Sequence, residues 1–360
     1  MGRNQRIYGK QEERIKDMED RTKKNKASQR KPLPKALGIA IFYGICILVA
    51  IMVLTHNNPL APDPYTENLK KYCACALLAL ACIIFGIYYD RMFIIPKELF
   101  QSRELIWKLA KNDFKKRYAG SYLGFLWALV QPVVTVVMYW IVFDKVFQTR
   151  SQMVSSGVEV PYVLFLTAGL VPWFYFSEAI TNRTNALLEY SYLVKKVVFN
   201  ISILPIIKLI AATFIHIFFV VVLLVVAAGY GYYPNLYTLQ VVYYSFCMFV
   251  LVLAASYCTC AVVVFFKDLA QIINIGLQVG MWATPILWNI GMLHDDKIVT
   301  LFKLNPLVYI VNGYRNAIYG DEWFFEHFYS STYFWIFTVT LFCIGSLIFK
   351  RLKVHFADVL

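Results

Sequence analysis

Most short motifs that mark soluble enzymes are missing from this sequence. It holds no GxxxxGK[ST] stretch, and YGKQ at 8–11 is no substitute, so no P-loop is present for a nucleotide phosphate. HExxH and GxSxG are also missing. His216 stands alone in an apolar run, where packing or a hydrogen bond explains it better than ligation. The eight cysteines lie in or beside apolar runs, and the pairs Cys73/Cys75 and Cys258/Cys260 lack zinc-site spacing, so they read as small hydrophobes. No catalytic, cofactor-binding or metal-binding residue is expected. The N-terminus MGRNQRIYGKQEER lacks the apolar core of a signal peptide, and Arg6 stands where a myristoylation pattern needs Ser or Thr. Charge is scarce as well, at 16% of residues against about 25% in a soluble domain.

What fills the space is apolar. Hydrophobic residues make up 59% of the chain, in runs long enough to cross a bilayer, which takes about 20 residues as a helix. Barrel strands would alternate and stop after about 10 residues, so a barrel is excluded. The runs near 36–55, 72–89, 121–143, 161–180, 203–229, 237–265, 271–288 and 331–349 predict an all-α polytopic membrane protein with about eight transmembrane helices. Between 288 and 331, IVTLF and PLVYIV are too short to cross and read as re-entrant or interfacial segments.

The net charge of +13 reflects loops held at a membrane surface rather than a nucleic-acid partner. With the N-terminus inside, 27 of the 35 Lys and Arg fall on inner segments and 7 on outer ones. That bias predicts cytoplasmic N- and C-termini in a multi-pass protein of the cytoplasmic membrane. The sequons at Asn182 and Asn200 then lie on the wrong side for glycosylation.

Four regions follow: a basic cytoplasmic tail over 1–35, a two-helix membrane module over 36–95, an amphipathic helix over 96–120, and a six-helix region over 121–360. In the amphipathic helix Leu99, Ile106, Leu109 and Ala110 share one face. Arg103, Lys108, Lys111, Lys115 and Lys116 largely avoid it, as in helices that lie against membrane lipid.

Intramembrane carboxylates, the usual mark of ion coupling, are lacking at any midplane position. Uncharged polar groups are present instead. Trp127, Gln131, Thr135 and Tyr139 recur every four residues, and Gln271, Asn274, Gln278 and Trp282 every three or four. Such stripes facing lipid would be costly, so they face protein or water. One reading is helix–helix hydrogen bonding. The other is a polar, aromatic-lined conduit suited to sugars, to which the dense VPWFYFSE segment adds Trp173 and Tyr175. One polar interruption, EAITNRTNALLEYSYLVKKVVFN over 178–200, lies between two strongly apolar spans and falls inside by the charge count.

LIWKLAKNDFKKRYAGSYLGFLWALVQPVV (105–134), the 167–205 stretch, KLNPLVYIVNGYRNAIYG (303–320) and FKRLKVHFADVL (349–360) together carry a resemblance. In that order they resemble the membrane subunit of type-2 ABC exporters, nearest the polysaccharide and teichoic-acid export permeases. The resemblance implies a homodimer, two copies of a separate ABC subunit that binds ATP and Mg, and a lipid-linked polysaccharide or teichoic acid as substrate. It implies a channel lined partly by the first and fifth core helices, the two spans that carry the stripes. It also makes 178–200 the coupling helix: Thr184, Asn185, Leu187, Leu188, Tyr190, Tyr192 and Leu193 would meet a groove on the ATPase, with Lys195 and Lys196 at its rim. Residues 1–95 depart from the family pattern. Two rivals are a type-2 permease for a small drug or lipid, and a membrane-embedded transferase drawing on Asp295, Asp296, Glu326, His294 and His327.

Overall fold

The computed structural model describes residues 35–55, 64–92, 94–117, 124–148, 152–153, 159–195 and 200–360. The chain divides into two units, 1–57 and 58–360. The described part of the first is one helix, α1 (Lys35–Thr55).

The second unit is helical because a bilayer offers the backbone no hydrogen-bond partners, so each apolar run must satisfy its own N–H and C=O groups. It begins with α2 (Pro64–Met92), α3 (Ile94–Gln101) and α4 (Arg103–Arg117). A short 3-10 turn, Gly124–Leu126, leads into α5 (Trp127–Trp140), whose last turns widen into a π-helix over Ile141–Val146. A two-residue ribbon pairs β1 (Gln152–Met153) with β2 (Glu159–Val160), antiparallel. Next come α6 (Tyr162–Thr184), the single turns α7 (Ala186–Glu189) and α8 (Ser191–Val194), α9 (Leu204–Gly229) and α10 (Gln240–Val263). The last elements are α11 (Leu269–Ala283), α12 (Asp296–Lys303), α13 (Pro306–Tyr319), α14 (Phe328–Lys353) and α15 (Phe356–Val359).

Five described segments are long and apolar enough to cross a membrane: Leu37–Thr55, Tyr162–Thr184, Ile201–Gly229, Tyr237–Val263 and Phe328–Lys353. The other three predicted spans look different. Their apolar helical parts are shorter, over Ala74–Ile87, Val133–Phe143 and Leu269–Ala283. The last unwinds at Thr284, and α12 and α13 follow as short helices.

α6 is the centre of the second unit and lies against α9, α10 and α13, while α14 packs along α10. Two apolar clusters result. The larger draws Leu164 and Leu170 of α6, Phe219 of α9, Leu251 of α10 and Tyr314 of α13 together. The smaller gathers the end of the unit where the 185–195 segment lies, with Ile106 and Ala110 of α4, Leu187, Ile203, Tyr257 and Phe349. Antiparallel spans explain the second cluster: the ends of α6, α10 and α14 meet the start of α9 there.

Candidate functional site

At the end of α6, the Thr184 hydroxyl lies 2.9 Å from the Thr259 hydroxyl of α10, fixing where the loop leaves the bundle. Asn185 then breaks the helix, and α7 and α8 follow as single turns. Leu187 is fully buried in the smaller cluster. Tyr190 is half-buried, and its hydroxyl donates to the Asp113 carboxylate of α4. Lys208, in the first turns of α9, reaches Asp113 at 3.0 Å and Glu189 at 2.6 Å, with its ammonium 5.0 Å from the centre of the Tyr190 ring. Burial, then the hydrogen bond from its hydroxyl to the Asp113 carboxylate, push the Tyr190 phenol above its ordinary pKa.

The loop is therefore pinned from inside. Leu187 and Tyr190, grouped by sequence with the outward face, are its anchors. Tyr192 is 57% exposed, Lys195 is exposed and Leu188 is intermediate. Lys196 and the side chain of Leu193 lie outside the described residues. Nothing local to Lys208 in the sequence points to Asp113, 95 positions away on another helix.

The basic amphipathic segment is two helices, α3 and α4, with Ser102 between them. Ile106 and Ala110 are buried against protein, and Leu99 and Leu109 pack at the margin of the same cluster. What α4 and the end of α3 leave exposed is Phe100, Leu105 and Trp107. Arg103 stands 5.4 Å from the Phe100 ring centre and Lys111 5.1 Å from that of Trp107. Lys108 and Lys115 are exposed. The side chain of Lys116 lies outside the described residues.

The two polar stripes separate on inspection. Gln271, Asn274, Gln278 and Trp282 are all exposed on α11, which buries no side chain within the subunit. On α5, Trp127 is exposed while Thr135 and Tyr139 are half-buried; the Gln131 side chain lies outside the described residues. Trp173 and Tyr175 are inside the subunit. The Trp173 ring lies close against Gly280 of α11, where a Cβ would stand 3.1 Å from Cη2. Tyr175 stacks on His216 at 4.3 Å and shares a 2.8 Å hydrogen bond with Thr213. The His216 ring continues this network: its Nε2 lies 2.8 Å from the Tyr314 hydroxyl and 3.2 Å from that of Ser245.

Arg315 of α13 holds the unwound stretch after α11. Its guanidinium donates to the Pro285 carbonyl at 2.7 Å and the Ile286 carbonyl at 2.9 Å, and lies 3.5 Å from the centre of the Phe165 ring. The Asn305 amide donates to Thr284 at 2.9 Å while its oxygen caps α13 through the Leu307 N–H at 3.1 Å. Non-helical backbone at membrane depth needs such partners. Sequence reading missed Arg315, which lies 30 residues beyond Pro285.

The arrangement offers hydrogen-bonding amides, hydroxyls and aromatic rings on exposed helix faces, and a loop anchored on three helices. Residues 104–319 match the family model described as ABC-2 type transporter. The chain belongs to the ABC-2 type transporter family. It is a multi-pass protein of the cell membrane. The match runs from α4 to the end of α13, so it includes the anchored loop and both stripes. The chain is 28% identical to the O-antigen export system permease protein RfbA of Myxococcus xanthus, over 63% of this chain and 85% of the relative. Two permease proteins of the same name from Klebsiella pneumoniae are each 26% identical, over 71% of this chain and 95% of the relative.

Proposed function

We propose that this chain is the membrane-spanning permease subunit of an ATP-driven exporter that moves a lipid-linked polysaccharide, or a teichoic acid, across the cytoplasmic membrane. Two copies of the chain would pair, and two copies of a separate ATP-binding subunit would dock on the cytoplasmic side. Relatives whose names describe O-antigen export support polysaccharide as the cargo class. The observation that carries the mechanical part is the 185–195 segment: buried Leu187 and the Tyr190–Asp113–Lys208–Glu189 network anchor it, while Tyr192 and Lys195 face outward. A lever needs that combination, because a loop free to bend would absorb the partner's motion. The exposed Gln271, Asn274, Gln278 and Trp282 of α11 suit a sugar path, with amides for hydroxyls and an aromatic face for C–H surfaces. The six-helix core after two additional N-terminal helices and cytoplasmic termini belong to the same reading.

Co-expression with an ABC ATP-binding subunit from the same genome provides the test. A stable complex and nucleotide-dependent appearance of polysaccharide at the cell surface are the expected results. A purified chain that pairs with no ATPase would sink the proposal. Export of a small drug or lipid with no effect on any surface polymer would instead favour a small-molecule permease of the same architecture.

A further inference from the structure

Two side chains of opposite charge, both close to Tyr257 of the smaller apolar cluster, have buried atoms without hydrogen-bond partners. Arg183, at the end of α6, is fully buried, and none of its three guanidinium nitrogens has a partner. Glu98, on α3, has one buried carboxylate oxygen, Oε2, that also has none. Among the described residues these are the only guanidinium or ammonium and the only carboxylate with such orphaned buried atoms. An unpaired charge inside a protein costs several kcal/mol, so the fully buried Arg183 calls for a physical reason, while Glu98 is a quarter exposed and paired only loosely.

A chain of contacts links them. The Arg183 guanidinium lies 6.0 Å from the centre of the Tyr257 ring. The Tyr257 hydroxyl donates to the Ser202 carbonyl at 2.9 Å, and the Ser202 hydroxyl accepts from Lys353 at 3.1 Å. Lys353 in turn stands 3.7 Å from the other Glu98 oxygen, a loose pair. Ser202 belongs to the 3-10 turn Ile201–Ile203, which abuts α3 and leads into α9. The other charges nearby are engaged: Asp113 and Glu189 hold Lys208, and Glu178 accepts from Asn182 at 3.4 Å.

We propose that Arg183 and Glu98 form an ion pair in a second state of the subunit, reached when the Ser202 turn withdraws from the path between them. In the state described, the turn holds the two charges apart and Arg183 carries the cost. Withdrawal of the turn lets Glu98 leave Lys353 and pays that cost back as stabilisation of the second state. Arg183 and Glu98 are thus positioning residues that act on the balance between two conformations. The inference rests on the transport reading only in using export as a readout.

The test uses the full chain with its ATP-binding partner in host membranes. Arg183→Gln and Glu98→Gln should each lower export about ten-fold or more, equivalent to about 1.4 kcal/mol in the balance of states. Arg183→Gln should at the same time raise the thermal midpoint of the purified chain, because it removes an unpaired buried charge. A residue needed only for folding would lower both. The reversal Glu98→Arg with Arg183→Glu should restore export to well above either single reversal. A double reversal no better than the singles overturns the pair, as does wild-type export from Arg183→Gln. If the double reversal does not accumulate, Arg183→Lys decides: near wild-type export supports the pair, and loss equal to that of Gln overturns it. Wild-type export in the same cells separates the two readings, since its absence would count against the transport function.

Discussion

Gly345 of α14 shows how little room one position can have. A Cβ there would stand 2.8 Å from the Ala254 carbonyl oxygen and 3.2 Å from the Cys258 backbone nitrogen of α10. Small residues let membrane helices approach closely, where packing rather than water drives association. Both neighbouring atoms are backbone, so neither can swing aside. Gly345→Val should cost about 1–3 kcal/mol or more, seen as a lower thermal midpoint in detergent. Gly276 of α11 has nothing within 4 Å of its would-be Cβ, so Gly276→Val should leave that midpoint nearly unchanged. A wild-type midpoint for Gly345→Val would show that the two helices are not held at this distance.

The 178–200 interruption behaves as two faces of different kinds. Leu187→Ala opens a cavity in the smaller cluster and should cost about 2–5 kcal/mol of stability. Tyr192→Ala with Lys195→Ala should leave stability unchanged and weaken retention of the ATP-binding subunit about ten-fold. Pull-down and thermal melts on both variants check this; equal effects on stability would contradict the division. The loop itself was legible from its charge between two apolar runs, and so were the long helices. Which side of each element meets protein was not. Lipid and protein interior are equally apolar, so hydropathy cannot tell Ile106 packed on α9 from Ile106 lying in a bilayer. The same limit hid Trp173 and Tyr175, whose dense aromatic neighbourhood reads alike for an open lining and a packed interior. Asp113 and Arg315 were missed for another reason: each acts on groups far away in sequence, and only the fold brings them there.

For the molecule as a whole, α11 poses a question of solvent. A helix in a bilayer that exposes Gln271, Asn274 and Gln278 must be covered by protein or water. A second copy of the chain is the cover we propose. Gln278→Cys, in a chain whose native cysteines are replaced, should cross-link to its counterpart in the homodimer; exclusive reaction with lipid-soluble maleimide would contradict this. The stripe on α5 has a geometric corollary. Four residues overshoot a helical turn by about 40°, so the side chains from Trp127 to Tyr139 wind around the helix instead of running straight. That winding accounts for an exposed start at Trp127 and half-buried Thr135 and Tyr139. The π-helical turns over Ile141–Val146 hold more residues each, and there the overshoot ends; Tyr139, Phe143 and Phe147 follow as rings 6.1 and 5.9 Å apart. A polymer tracking this line of side chains would advance like a screw, rotating about 40° for each 6 Å or so of travel along α5.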